Sequence, residues 1–177
     1  NLSAEGDWSS AAFLDAFNLV KGEVYVTGLN ENSCQGDKVY REFYEKLSEN
    51  NPTFDISQCP DLGPILIAGA VLKNGACIRG TERLRIKESD RGMVMARELK
   101  KFGVEIDAGE NYIKVPCVEP KKPTVSIDCS NDHRIAMSFA VLCSVTGGVL
   151  ENAQCVNKSY PDFFLDIKNL GIKYEII

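Results

Sequence analysis

The sequence predicts an α/β domain assembled from three copies of one unit, in which strands and helices alternate and a pair of strands follows. Three observations predict it: an Asp and a Gly recur at nearly fixed spacing, each such Asp precedes an apolar stretch, and a short strand-like stretch follows each Gly. From Asp to Gly the spacing is 15, 14 and 15 residues. The landmarks are Asp7, Gly22 and Asp37, then Asp61, Gly75 and Asp90, then Asp132, Gly147 and Asp162. We therefore predict a single domain over residues 1–177, with repeats at approximately 1–55, 56–122 and 123–177.

Composition narrows the functional class. With 177 residues, 44% apolar and 25% charged, the chain suits one well-packed domain. A formal net charge of −5 argues against non-specific binding to nucleic acid or to an anionic membrane, because both need a dense basic face. The apolar stretches are too short to span a bilayer, and no signal-peptide pattern opens the sequence, which predicts a cytoplasmic protein. The seven cysteines are odd in number and never in C-x-x-C spacing, so we expect reduced thiols rather than disulfides or a zinc site.

The first helix of each repeat is predicted to be buried, because it is apolar around much of its circumference. These helices are predicted over residues 8–21, 62–73 and 133–146. The second helices are amphipathic and should cover the outside of a sheet. In the second repeat the apolar stripe consists of Met93, Ala96, Leu99 and Phe102, and Gly103 is the expected residue after the helix end.

Short β-rich stretches complete the predicted units. Strands are predicted over residues 22–26, 75–78, 104–106, 112–115 and 147–150. The repeated aspartates suit helix N-caps, and we assign that role to Asp7, Asp37 and Asp162. For Asp61 and Asp132 the choice between a cap and an anion-binding loop stays open, because helix starts gathered at one end favour bound anions.

Two short charged clusters predict a functional site: Lys87-Glu88-Ser89-Asp90-Arg91 and Asn131-Asp132-His133-Arg134. Each immediately precedes or opens a helix with a marked apolar content. If the repeats are related by a pseudo-threefold axis, four cations converge beside Asp61 and Glu88. These cations are Lys87, Arg91, Arg134 and Lys158. A ligand with phosphate and carboxylate groups fits such a site, whereas the alternative is a set of ordinary surface ion pairs. We interpret the lone His133 as a packed or loop histidine.

The motifs resemble those of the 5-enolpyruvylshikimate-3-phosphate synthase family over essentially the whole chain. The matching segments are residues 4–11 (AEGDWSSA), 32–37 (NSCQGD), 59–64 (CPDLGP), 85–91 (RIKESDR), 131–137 (NDHRIAM) and 158–162 (KSYPD). The resemblance implies an inside-out α/β barrel of the enolpyruvyl transferase type, with three βαβαββ repeats and the helices within. It also implies a two-domain enzyme of which this chain resembles the C-terminal domain, so that an N-terminal segment and an N-terminal domain would be missing partners.

The chemistry implied by the resemblance is transfer of the enolpyruvyl group from phosphoenolpyruvate to the 5-hydroxyl of shikimate 3-phosphate, with release of phosphate and no metal or organic cofactor. By the matching motifs, Asp61 would contact shikimate and accept its proton, and Glu88 would move a proton at C3. Lys87 would also contact shikimate phosphate. The phosphoenolpyruvate ligands would be Arg91, Arg134 and Lys158. Arg83 stands where the family often has an Asn, so its role is left open.

Two alternatives belong beside this expectation. The related UDP-N-acetylglucosamine enolpyruvyl transferase family shares the fold and the reaction on another hydroxyl, but lacks the paired charged clusters found here. A non-catalytic anion-binding domain would have no use for the carboxylates of Asp61 and Glu88 beside a phosphate. Half of a two-domain cleft should not orient two substrates, so we expect the chain alone to be inactive.

Overall fold

The computed structural model describes residues 4–175 and shows a mixed α/β architecture. The helices are α1 (Trp8–Asp15), α2 (Tyr40–Lys46), α3 (Gly63–Leu72), α4 (Arg91–Leu99), α5 (His133–Thr146) and α6 (Phe163–Asn169). The strands are β1 (Thr53–Asp55), β2 (Ala76–Arg79), β3 (Asp107–Ala108), β4 (Tyr112–Val115), β5 (Ile127–Asp128) and β6 (Leu150–Glu151). Helices and strands alternate along much of the chain, as the repeated landmarks predict.

The strands form two sheets, which do not close into a barrel within the described residues. The larger sheet has the order β1-β2-β4-β3, and the smaller one pairs β5 with β6. In both sheets, the strand before an Asp-led helix pairs in parallel with the strand after it, so Phe54 lies opposite Ile78 and Ile127 opposite Leu150. This shared arrangement places the starts of α3 and α5 in equivalent positions.

The first helices of the repeats lie at the centre of the molecule, as predicted. Helix α3 packs against α5, and α1 also contacts α5. In α3 all residues except Leu72 are buried, because the helix carries apolar side chains on every face. Phe102 and Phe139 stack at 5.7 Å between ring centroids, which joins the end of the α4 segment to α5. The predicted helix over residues 133–146 is confirmed.

The first helix differs in its second half from the prediction over residues 8–21. It is α-helical to Asp15 and continues as a 3-10 helix over Ala16–Val20, ending where Lys21 adopts a left-handed conformation with φ 73°.

Of the three predicted N-caps, Asp7 is confirmed, because its side chain accepts a hydrogen bond from the Ser9 amide at 2.9 Å.

The capping role predicted for Asp37 is wrong, because that residue lies inside a short 3-10 helix over Gly36–Val39. Asp162 does stand at the N-cap of α6, but its side chain makes no capping hydrogen bond.

Three of the predicted strands are displaced or absent. Residues 22–26 form no strand, because the amide and carbonyl of Val24 bond to the side chain of Asn18 instead of to a neighbouring strand. Residues 104–106 form none either, and the amide of Val104 closes the preceding helical turn on the Leu99 carbonyl. In the segment 147–150 the strand starts only at Leu150, since the two glycines before it adopt positive φ.

The buried face of α4 is rotated from the predicted stripe. Met93 is 60% exposed, whereas Arg91, Met95 and Glu98 are buried. Two charged side chains therefore take positions in the buried face, which a count of apolar residues could not reveal. Gly103 does follow the helix end with φ 75°, as predicted.

No helix among residues 4–175 is long and apolar enough to cross a membrane.

All seven cysteines are free thiols, and burial raises the pKa of Cys59 and Cys143 to about 12. Such thiols are poor nucleophiles near neutral pH, because little thiolate is present.

Candidate active site

Three helix starts meet at one place and bring the charged clusters together. Asp61 lies in the 3-10 turn Pro60–Leu62 that leads into α3, and Lys87 lies in the loop before α4. Arg91 is the first residue of α4, and Arg134 is the second residue of α5. These side chains are far apart in sequence, yet each of the three cations contacts Asp61.

The Asp61 carboxylate is the centre of this cluster. Its Oδ1 lies 3.1 Å from Lys87 Nζ and 2.8 Å from a terminal nitrogen of Arg91, while Oδ2 lies 3.3 Å from a terminal nitrogen of Arg134. The Asp61 side chain remains 32% exposed. The site thus holds three cations around one accessible carboxylate, an arrangement in which the cations can also bind an incoming anion.

Asp132 supports the cluster from its buried side. It is fully buried, and its carboxylate accepts hydrogen bonds from Arg91 Nε at 2.9 Å and from the Ser89 hydroxyl at 2.9 Å. It also accepts from the backbone amide of Arg134 at 3.0 Å, which makes it the N-cap of α5. Asp132 therefore fixes Arg91 in place and caps the helix that carries Arg134, which confirms the capping alternative left open for it.

Opposing effects act on the pKa values of the two aspartates. Burial alone would raise the pKa of Asp61, but the charge of Arg134 and the hydrogen bond and charge of Lys87 outweigh it and hold the pKa below its usual range. Burial would likewise raise the pKa of Asp132, and the hydrogen bond and charge of Arg91 lower it. Both groups are therefore ionised at neutral pH, and the cluster is held together by charge-assisted hydrogen bonds.

The equivalent placement of the clusters predicted that Glu88 would lie among the cations around Asp61. The structure does not place it there. Its Oε2 lies 2.9 Å from Nδ1 of His133, and its side chain is 37% exposed. His133 itself is 6% exposed and is the first residue of α5. It is thus a packed histidine, as predicted, but one that also holds a candidate catalytic carboxylate.

A metal ion does not fit among Glu88, Asp132 and His133. Oxygen and nitrogen atoms of Glu88, Asp132 and His133 lie within 4.8 Å of one another. Asp132, however, already accepts four hydrogen bonds, from two nitrogens of Arg91, from Ser89 and from Arg134. Since an ionised carboxylate offers about four acceptor sites, none is left for a metal, and the adjacent guanidinium would repel one.

Lys158 approaches the site without contacting Asp61. Its ammonium donates to the carbonyl of Asn131 at 2.7 Å, next to the residue that caps α5. Lys158 is exposed, so its side chain is accessible to a ligand. Arg83 is also exposed, and it donates to the carbonyl of Ser57 at 3.2 Å.

A protein-family model decides which group of proteins this arrangement belongs to. Residues 46–167, more than half of the chain, match the model described as EPSP synthase (3-phosphoshikimate 1-carboxyvinyltransferase). The chain belongs to the EPSP synthase family. The match includes every residue that we assign to the cluster, from Asp61 to Lys158.

Curated relatives in the EPSP synthase family extend the similarity over the chain. A protein from Clostridium botulinum strain Eklund 17B, named 3-phosphoshikimate 1-carboxyvinyltransferase, is 38% identical over 97% of this chain and 44% of its own length. A protein of the same name from Haemophilus influenzae strain PittGG is 32% identical over 96% of this chain and 44% of its own. The chain thus spans less than half the length of the curated relatives it matches.

A solved structure supports the fold of the EPSP synthase family. EPSP synthase from Acinetobacter baumannii superposes with a TM-score of 0.83 at 23% identity, covering 99% of this chain and 48% of that one. The expected inside-out α/β architecture is therefore confirmed, although the described strands form open sheets rather than a closed barrel.

Three residues to which the motif comparison with the EPSP synthase family gave no role serve as supports. Asp132 and Ser89 hold Arg91, and the ring of Phe13 lies 5.9 Å below the Arg134 guanidinium carbon. The repeat position of Asp132, equivalent to that of Asp61, had singled it out in the sequence, but its contact with Arg91 was not predicted. Nothing in the local sequence of Phe13 distinguishes it from other core aromatics.

Proposed function

We propose that this chain provides the carboxylate-and-cation face of an enzyme that transfers the enolpyruvyl group of phosphoenolpyruvate to the 5-hydroxyl of shikimate 3-phosphate and releases phosphate. The observation that carries the proposal is the convergence of Lys87, Arg91 and Arg134 on the single carboxylate of Asp61. Glu88, next to Lys87 in the sequence, is held by His133. Family membership and the names of the relatives support the choice of substrates.

In this proposal the cations bind the anionic groups. Arg91, Arg134 and Lys158 would hold the phosphate and carboxylate of phosphoenolpyruvate, and Lys87 would contact the phosphate of shikimate 3-phosphate. Arg91 is prepared for this role because Asp132 fixes its Nε edge while a terminal nitrogen donates to the partly exposed carboxylate of Asp61. Lys158 is exposed and would approach when the ligand arrives.

Proton transfer would be the task of the two carboxylates. An aspartate held at low pKa by three cations is a weak base, so Asp61 needs to lose part of that charge before it accepts a proton. Binding of substrate anions would supply this change, since phosphate and carboxylate oxygens compete with Asp61 for Lys87 and Arg134. Asp61 would then accept the proton of the attacking hydroxyl, and Glu88, held by His133, would add and remove the proton at C3.

We infer that residues outside this chain complete the cleft. The chain spans 44% of the relatives' length, and the cluster described here offers cations and carboxylates but no second wall of the cleft.

Within residues 1–177 we propose one domain with the three repeats given above. The free cysteines are consistent with a reducing, cytoplasmic location. With a net charge of −5, nucleic acid or an anionic membrane is not a proposed partner.

The test is phosphate release from phosphoenolpyruvate by the full-length polypeptide, with shikimate 3-phosphate or a UDP-sugar as acceptor. We expect release with shikimate 3-phosphate only, and a loss of at least about 100-fold in both Asp61→Asn and Glu88→Gln, the scale of a lost acid–base group. Glu119→Gln, at an exposed position away from the cluster, is the matched control and should retain wild-type turnover.

Other outcomes would point elsewhere. Release only with the UDP-sugar would assign the chain to the other enolpyruvyl transfer reaction, which the relatives' names do not favour. Release with neither acceptor would leave a non-catalytic anion-binding domain.

A further inference from the structure

One carboxylate near the cation cluster has no part in the function proposed above. Asp37 lies in the 3-10 helix Gly36–Val39 and is half-buried. Its Oδ2 accepts a hydrogen bond from the Ser9 hydroxyl. Among residues 4–175, Asp37 forms no ion pair, whereas Asp61 and Asp132 each contact at least one guanidinium.

The position of Asp37 relative to the cations follows from helix α1. Ser9 and Phe13 are four residues apart and share one face of the helix, about 5–6 Å from each other. Ser9 holds Asp37, and Phe13 lies under the guanidinium of Arg134. Asp37 and Arg134 therefore contact the same face of α1, Asp37 through Ser9 and Arg134 through Phe13, on the side of the cluster that belongs to the first repeat.

Charged groups at the starts of four helices act on Asp37. Arg134 on α5 and Lys87 before α4 attract its ionised form, while Asp61 before α3 and Asp7 before α1 repel it. The buried thiol of Cys59 also lies within electrostatic reach. The ammonium group of the neighbouring Lys38 donates to the Ser33 carbonyl and forms no ion pair with Asp37.

Burial is the largest influence on this carboxyl and raises its pKa to about 6, with Arg134 opposing the rise. An anion bound by Arg134 and Lys87 would cancel the two attractive charges and add a repulsive one. Both changes favour the protonated form, so the pKa of Asp37 should rise further when the site is filled.

We propose that Asp37 is a proton-linked positioning residue of the anion site, which takes up one proton from solvent when a dianion occupies the cations. The carboxylate becomes a neutral carboxylic acid, and no other bond is formed or broken. This inference rests on the anion-binding part of the proposed function. It adds that the site binds dianions more tightly at mildly acidic pH and that Asp37 sets this dependence.

The experiment uses sulfate as the probe, because sulfate stays a dianion from pH 5 to pH 8 while phosphate titrates in that range. Calorimetric titration of the full-length polypeptide with sulfate, repeated in two buffers of different ionisation enthalpy, gives both affinity and the number of protons taken up. For the wild type we expect roughly tenfold tighter binding at pH 5.5 than at pH 8. We also expect net proton uptake between pH 6 and pH 7.

In Asp37→Asn the affinity at pH 8 should rise to near the acidic wild-type value, and the Asp37 share of the proton uptake should vanish. Asp162→Asn removes the exposed aspartate at the equivalent position of the third repeat and should keep the wild-type profile. An unchanged pH profile in Asp37→Asn would overturn the proposal. Weaker binding by that variant at every pH would also overturn it, since Asp37 would then merely support the local structure through Ser9.

The two proposals fail in different ways. If the wild type binds sulfate with the expected proton uptake but transfers no enolpyruvyl group, the proposed function fails and the role of Asp37 stands. If the wild type binds no sulfate at any pH, the anion site is absent, and this inference falls with it.

Discussion

Arg91 and Asp132 form a buried, two-point ion pair, with Nε at 2.9 Å from one carboxylate oxygen and a terminal nitrogen at 3.3 Å from the other. The two side chains are 3% and 0% exposed. The remaining terminal nitrogen of Arg91 reaches Asp61 at 2.8 Å. One guanidinium thus links a structural carboxylate to the candidate catalytic one, so that stability and function depend on the same contact.

We expect Asp132→Asn to lower the free energy of unfolding by about 3 kcal/mol, because it removes the charge opposite a buried guanidinium and weakens the cap of α5. Urea unfolding of the chain measures the change. Asp162→Asn, at an exposed aspartate, should differ from wild type by less than about 0.5 kcal/mol. An unfolding midpoint of Asp132→Asn equal to that of wild type would show that the buried pair contributes nothing.

Acidic pH should remove the stabilisation that the ionised carboxylates of Asp132 and Asp61 provide. The pKa values of Asp132 and Asp61 are lower in the folded chain than the value of about 3.9 for unfolded Asp, so their stabilisation is complete above that pH. It is lost as the pH falls below about 4 and through the folded pKa values. Asp132 should dominate, since Asp61 is partly exposed. Melting temperatures from pH 5.5 to pH 2.5 should therefore fall more steeply for wild type than for Asp132→Asn, and parallel curves would refute the assignment.

Gly75→Ala should be among the most damaging small changes outside the site. Gly75 has φ 72°, and a Cβ there would lie 2.5 Å from the Val115 carbonyl oxygen, in the turn that leads from α3 to β2. We expect a loss of more than about 2 kcal/mol, from the strained conformation and the forced separation of β2 from β4. Gly171→Ala is the matched control, since φ is 92° but no atom lies within 4 Å. A similar loss in both would leave backbone conformation alone as the cause.

The core helices and the charged site were predictable because both depend on local, repeated patterns. Helix α5 is apolar enough to be assigned from 133 to 146 without knowledge of its neighbours. The convergence on Asp61 followed from equivalent repeat positions, as did the involvement of Arg134.

Strand pairing was less predictable, because a strand needs a partner that local sequence does not specify. Residues 22–26 have a suitable composition, yet Asn18 satisfies Val24 in place of a partner strand. From the second Asp of one repeat to the first Asp of the next, the interval is 24 residues for Asp37 to Asp61, but 42 for Asp90 to Asp132. The shorter interval leaves no room for a counterpart of the β3–β4 hairpin. The partner of Glu88 was missed for a related reason, since the 2.9 Å contact with His133 joins residues 45 positions apart.

Glu98 should stabilise the chain although it is charged and has 0% exposure. Its carboxylate lies 2.6 Å from both Lys101 Nζ and Arg97 Nε, and it accepts the Asp128 amide at 2.9 Å, which ties α4 to β5. We expect Glu98→Gln to reduce the free energy of unfolding by about 2–3 kcal/mol, because the substituted amide leaves buried donors poorly matched.

The control for Glu98 is Glu105→Gln, which breaks an exposed pair with Lys100 at 3.2 Å and should cost less than about 1 kcal/mol. Urea unfolding of the two variants side by side separates a buried charge network from a surface pair. Equal effects would show that burial adds nothing to the Glu98 contacts.

The chain of residues 1–177 should show no measurable enolpyruvyl transfer when assayed alone. Orientation of two substrates supplies about 7–11 kcal/mol of barrier reduction in enzymes, and the cluster on this chain offers one wall of the required cleft. Phosphate release from phosphoenolpyruvate and shikimate 3-phosphate by the isolated chain should therefore equal the background, while the full-length polypeptide turns over. Circular dichroism of the isolated chain provides the control that it is folded. Turnover by a folded isolated chain would mean that the Asp61 cluster binds and orients both substrates without a second wall.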